Sequence, residues 1–136
     1  MPFVLDSSVA LAWVLPDEQS EAADPIAERL ERDFAVVPAV WPLEVLNALL
    51  TASRRARIGD DNVQRLLSHL AALPIEVEQI EMTPMLDAIG SVARRHGITS
   101  YDAAYVELAK RRGMPIATFD QKLKDVCLAE RVTVIP

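Results

Sequence analysis

Four acids in this chain, Asp6, Glu44, Asp102 and Asp120, sit where a strand or loop hands over to a helix. Asp6 follows the apolar run Phe3-Val4-Leu5, and Asp120 follows Thr118-Phe119. Glu44 and Asp102 fall in the first turns of helices expected from Pro42 and Tyr101. Singly, each has an ordinary explanation, since Asp is a favoured N-cap and acids at helix N-termini are stabilised by the macrodipole. For Asp6 alone the cap is the better explanation. Together they point to a different use. In an open parallel sheet, ligands bind outside the carboxyl ends of the strands. Acids gathered there raise one another's pKa unless a cation holds them. A hard divalent cation such as Mg²⁺ takes oxygen ligands, keeps several waters and needs only one or two direct carboxylates. Such an ion activates water and stabilises a phosphoryl transition state.

The helix from Pro42 sharpens this reading. Leu43, Val45, Leu46, Ala48, Leu49 and Leu50 make it apolar on most sides, so it is expected to be largely buried. Glu44, Asn47 and Thr51 then form a polar stripe at i, i+3, i+7 spacing. A carboxylate on a buried helix needs a partner or a metal. Asn47 is suited to orienting a carboxylate, and Ser7, Ser8 or Thr118 to holding a metal-bound water.

The elements that would position these groups alternate along the chain. Strands are expected at Phe3–Leu5, Ala35–Val37, Ile75–Glu78, Pro115–Thr118 and Val132–Ile135. Helices are expected at about 19–32 (with a restart at Asp24-Pro25), 42–57, 61–73, 84–96, 101–112 and 120–130. Connections are short, and there is no repeat or low-complexity segment. This predicts an α/β domain with a mostly parallel sheet and helices on both faces. At 136 residues and 51% hydrophobic content, one domain spanning 1–136 is expected. One cysteine, Cys127, excludes a disulfide framework and a cysteine zinc site, and two histidines exclude a histidine-rich one. Neither a membrane span nor a signal peptide is read, which points to a reducing cytoplasm. The net charge of −6 argues against a general nucleic-acid binder, unless the acids are gathered around a metal.

The stretches Leu5-Asp6-Ser7-Ser8-Val9, Pro42-Leu43-Glu44-Val45-Leu46-Asn47-Ala48-Leu49, Ser100-Tyr101-Asp102-Ala103-Ala104-Tyr105 and Ala117-Thr118-Phe119-Asp120 resemble, in order and spacing, the four motifs of PIN-domain ribonucleases. The resemblance is nearest to the VapC toxins of toxin–antitoxin systems and covers the whole chain. It implies a three-layer α/β/α sandwich with a central, mostly parallel sheet of four or five strands. It also implies an endoribonuclease dependent on Mg²⁺ or Mn²⁺, with Asp6 and Asp102 as principal metal ligands and Glu44 and Asp120 completing the pocket. The implied partners are the RNA substrate, a VapB-type antitoxin and a second copy in a homodimer. DNA would be met only through the antitoxin.

Other residues read more plainly. Trp13, Trp41 and Cys127 are expected in the core, and His96 at a helix end. The basic groups Arg94-Arg95 and Lys110-Arg111-Arg112 suit helix C-termini. Arg54, Arg55 and Arg57 either do the same or steer an RNA backbone towards the pocket. A receiver-type phosphoacceptor would want adjacent acids after the first strand and a strand-end lysine, and neither is present. An aspartate-nucleophile phosphatase would want Asp where Ser8 stands. A non-catalytic PIN-fold binding module is the remaining alternative, against which the intact set of acids weighs.

Overall fold

The computed structural model describes residues 1–136. A four-stranded parallel sheet lies between two layers of helices. Every residue of β1 (Phe3–Leu5) and β2 (Ala35–Pro38) is buried. Their unbroken apolar runs are what a parallel sheet covered on both faces requires. β2 pairs with β1 in the register Phe3↔Ala35, β3 (Ile75–Glu78) lies outside β2, and β4 (Ile116–Ala117) pairs with the other side of β1. The order is β3-β2-β1-β4. The chain works outward from β1 to β3 and then crosses back to β4. That return makes the carboxyl ends of β1 and β4 the switch point of the sheet.

Right-handed crossovers place α1 (Ser7–Val14), α2 (Asp24–Arg29), α3 (Trp41–Arg54) and α4 (Asp60–Ala71) on one face. By the same rule α5 (Met85–His96), α6 (Ser100–Arg112) and α7 (Gln121–Ala129) take the other. Contacts of α1 with α3, α3 with α4, α5 with α6, and α6 with α7 follow this division. The helix at the centre is α6, buried continuously from Ala103 to Ala109. Its small residues Ala103 and Ala104 let it lie against β1, β2 and β4. Thr99 starts it by accepting the Asp102 N–H at 3.1 Å. No helix is long and apolar enough to cross a membrane.

Three expectations need correcting. The segment at 19–32 restarts at Asp24-Pro25 as expected, but what precedes the restart is not α-helix: short 3₁₀ turns at Pro16–Glu18 and Glu21–Ala23 lead into α2. The Ser20 hydroxyl accepts the Ala22 N–H at 3.2 Å, and this local bond competes with a regular helix start. The fifth strand shrinks to a single bridge, Ile116↔Val134. With β4 only two residues long, a further strand finds one pairing position beside it. Finally, α3 buries only the stripe Trp41, Val45, Leu49 and Ala52. Leu43 remains 68% exposed and Leu50 39%.

The basic groups at helix ends are more than complements to the macrodipole. Arg111 pairs with Glu107 and Glu78, and Arg112 with Glu76 and Glu78, so α6 is clamped to the edge strand β3. Just past α7, Glu130 collects Arg95 at 3.0 Å, Lys110 at 2.6 Å and His96 at 2.6 Å, with its side chain only 8% exposed. Hydrogen bonds from Arg95, Lys110 and His96 hold its carboxyl far below the usual range. The stability this contributes is present above the ordinary glutamate range and is lost as pH falls through the depressed folded value. Glu130→Gln is therefore expected to lower stability at neutral pH by about 2 kcal/mol. The deficit should narrow in acid, as denaturant melts at neutral and acidic pH would show. An equal deficit at both would mean that the charge of Glu130 contributes nothing.

Candidate active site

Asp6 leaves the end of β1 at the switch point and is 6% exposed. It stands at the N-cap position of α1, yet its side chain makes no cap bond. Instead its Oδ2 accepts the hydroxyls of Ser8 and Thr118, both at 2.7 Å. Those hydroxyls have their own acceptor sides filled by backbone. The Phe119 N–H donates to Ser8 at 3.0 Å and the Asp120 N–H to Thr118 at 3.1 Å. Both hydroxyl protons are thereby directed at Asp6. This small network also stitches β1 to the turn after β4.

The other three acids converge from different elements. Glu44 enters from the first turn of α3, half-buried, and accepts the hydroxyl of Tyr105 from α6. Asp102 lies in the first turn of α6, half-buried. Asp120 is exposed and does cap its helix, accepting the Leu123 N–H at 3.1 Å. The acids are near enough to act on one another in pairs, Asp6 with Asp120, Glu44 with Asp6 and Asp102, and Asp102 with Asp6 and Asp120. Burial raises the carboxyl pKa of Asp6 most; the Ser8 and Thr118 bonds oppose it, and the Asp120 charge adds to it. Burial likewise raises Glu44, against the Tyr105 bond and with help from Asp6 and Asp102. Asp102 is raised by burial, then by Asp120 and Asp6, with Lys122 pulling the other way.

The supporting residues divide. Thr118 and Ser8 reach Asp6 through their hydroxyls, whereas Ser7 meets that carboxylate only with its backbone N–H and turns its side chain to the Tyr105 phenol. Asn47 does not orient Glu44; it faces outward on α3, and Tyr105 takes the place it was expected to fill. Arg57 is not free to steer a ligand, because Asp17 binds its guanidinium through two bonds of 2.6 Å and Glu18 adds a third. Arg54 reaches only the Thr51 hydroxyl, and Arg55 is exposed at the end of α3. Trp41 is buried, and the half-buried Trp13 donates its indole N–H to the Ala23 carbonyl at 2.9 Å. A cavity of about 490 Å³ beside Trp13 and His69 is lined by none of the four acids.

Tyr105 and Lys122 were not among the residues singled out for the site, and Ser8 was named only as one of three hydroxyls suited to a metal-bound water. Tyr105 had a legible signal: it stands three residues after Asp102, on the same face of one helix. Lys122 had none, since its approach to Asp102 depends on how α7 docks.

The donor set fits a hard divalent cation. It is all oxygen, and burial and mutual repulsion leave it with charge that a cation relieves. No three of its carboxylates close into a ready-made cage.

Fold and site together define an α/β protein with an acidic, cation-suited pocket at the switch point of a parallel sheet. The PIN domain family model matches residues 3–128. The chain belongs to the PIN-domain family. It is 30% identical to Ribonuclease VapC3 of Pyrobaculum aerophilum over 92% of this chain and 94% of that protein. It is 31% identical to Ribonuclease VapC9 of Mycobacterium tuberculosis over 98% of each. Among solved structures, VapBC2 from Rickettsia felis, bound to a DNA fragment from its promoter, superposes with a TM-score of 0.71. That superposition is at 10% identity and covers 99% of this chain and 98% of that one.

Proposed function

We propose that this protein is a divalent-metal-dependent endoribonuclease and the toxin half of a VapBC-type pair. The observation that carries the proposal is the approach of Asp6, Glu44 and Asp102 from three separate elements, close enough that charge on neighbouring acids, Asp120 among them, raises their carboxyl pKa values. The names of its relatives, VapC ribonucleases matched along nearly their whole length, supply the substrate class. Asp6 and Asp102 would be the principal holders of Mg²⁺ or Mn²⁺, with Glu44 and Asp120 completing the pocket. When bound, the ion supplies Lewis-acid stabilisation of charge on a phosphodiester oxygen. The chain's own part is positional and protonic. Ser8 and Thr118 fix the Asp6 carboxylate in one orientation. Tyr105 holds one oxygen of Glu44, leaving the other to take a proton from an attacking water. Water then adds to phosphorus, the bond to the leaving ribose oxygen breaks, that oxygen takes a proton from solvent, and no covalent enzyme intermediate forms. A VapB-type antitoxin, a homodimeric assembly and a cytoplasmic site of action complete the reading.

The test is incubation of total RNA with purified, antitoxin-free protein in Mg²⁺, Mn²⁺ or EDTA. Discrete fragments that require metal are the expected result. Intact RNA in both metals, from protein shown to be free of a bound partner, would overturn the reading.

A further inference from the structure

No other aromatic side chain of the protein is as exposed as Tyr101, at 60%. A ring left in water adds little to the core. Its place in the fold gives it another use. Tyr101 lies in the first turn of α6 directly before Asp102, and the bond from the Asp102 N–H to the Thr99 hydroxyl fixes that turn. Four residues further on, Tyr105 shares the same helix face and has its hydroxyl on Glu44. Tyr101 is therefore about 5.4 Å above Tyr105 along that face, and it is open to solvent where Tyr105 is buried. Side chains on a helix lean towards its N-terminus. The Tyr101 ring is thus carried outward, to the rim of the site that Glu44 and Asp102 enter.

At this rim an uncharged contact has particular value. The acids repel RNA phosphates. The cations that could offset them, Arg57, Arg95, Lys110, Arg111 and Arg112, already hold the protein's own carboxylates. Phosphate neutralisation, the usual source of affinity for RNA, is correspondingly weakened. Stacking of a base on an aromatic face needs no charge.

We propose that the Tyr101 ring is the stacking platform for the RNA base that adjoins the scissile phosphate. Asp102 is the next residue, so a base held on Tyr101 sets its own phosphate in register with the acids. Stacking needs a free base face, so the nucleotide seated there is unpaired. Tyr101 is on this account a substrate-binding residue, and it takes no part in the bond-breaking step. The inference rests on the nuclease reading.

The test uses a short synthetic RNA spanning one mapped cut, with two further copies that lack the base on one side or the other of the scissile bond. Tyr101→Ala should raise KM about tenfold or more and leave kcat near that of the wild type, as the loss of uniform binding does. Its circular dichroism should match the wild type, because the ring is exposed. Tyr101→Phe keeps the ring and should recover most of the loss. For the wild type, removing the stacked base should cost as much as Tyr101→Ala does. For Tyr101→Ala, removing the same base should cost little more, since ring and base act as one contact. An unmoved KM in Tyr101→Ala, or losses from ring and base that simply add, would overturn the platform. A loss in Tyr101→Phe equal to that in Tyr101→Ala would overturn it too, because the phenol oxygen would then carry the contact. A wild type that cut no RNA would bring down the nuclease reading and the platform with it. Wild-type cleavage with an indifferent Tyr101→Ala would remove the platform alone.

Discussion

Asp6→Asn is expected to lower RNA cleavage by about a thousandfold or more while leaving the protein folded. The change is nearly isosteric and keeps an oxygen to accept the Ser8 and Thr118 hydroxyls, but it removes the charge on which a cation depends. Its effect on stability should run the other way from its effect on activity. Asp6 is buried and its folded pKa lies above the ordinary value of 3.8. An acid with a raised folded pKa ionises first in the unfolded chain. The fold therefore loses stability as pH rises from near that ordinary value up through the raised one, and does not regain it above. The metal-free protein should melt at a higher temperature in mild acid than the charge on Asp6 allows at neutral pH, once the opposite contribution of Glu130 is set aside. Asp6→Asn should remove that penalty, so the metal-free variant should be at least as stable as the wild type at pH 7. Mn²⁺ should reverse the order by stabilising only the wild type, through the ionised acids it binds. Melting temperatures of both proteins across pH, with and without Mn²⁺, would show this directly. A variant that cleaved at the wild-type rate, or gained as much from Mn²⁺, would remove Asp6 from the site.

Tyr105 separates the fold from the chemistry. It is fully buried on α6, and its hydroxyl is the hydrogen-bond partner of Glu44 on α3. Tyr105→Ala should cost about 3–5 kcal/mol through lost burial and a cavity, against a total stability of roughly 5–15 kcal/mol for a domain. That variant should be largely unfolded near 40 °C. Tyr105→Phe keeps the ring and should cost only about 1 kcal/mol. It removes the bond that holds Glu44 down, so Glu44 stays protonated to higher pH. Cleavage on the acidic side should drop, and the acidic limb of the pH–rate profile should move upward. Denaturant melts and pH–rate profiles of the two variants measure both effects. An unmoved profile in Tyr105→Phe would mean that Glu44 titrates independently of the phenol and that the contact is packing alone.

Much of this molecule was legible from residue types and spacing. Thr99, three residues before Asp102, gave away the start of α6, and the small residues after Asp102 gave away its close seat on the sheet. Local chemistry sets these features, so a sequence carries them: a cap bond spans three residues, and an apolar run reports its own burial. The acids at strand and helix junctions were visible for the same reason. Their convergence was an inference from topology, since β4 had to return beside β1 for Asp120 to approach Asp6.

What escaped the sequence depends on partners far apart along the chain. Ser8 and Thr118 meet at Asp6 only because β1 and β4 are neighbours, and nothing near Ser7-Ser8 says which hydroxyl turns inward. Arg57 reads as a free cation until the turn carrying Asp17 folds against it. The outer face of α3 was read as buried because leucine implies burial, whereas the sheet covers only one side of that helix. The succession of strands and helices along the chain, the Thr99 cap and the standing of four acids at element junctions were determined by the sequence itself, because each is decided within a few residues. Which hydroxyls orient Asp6, which phenol holds Glu44, which cations are already paired and which leucines are left exposed were decided only by tertiary structure. Each of those depends on distances between elements that no local spacing encodes.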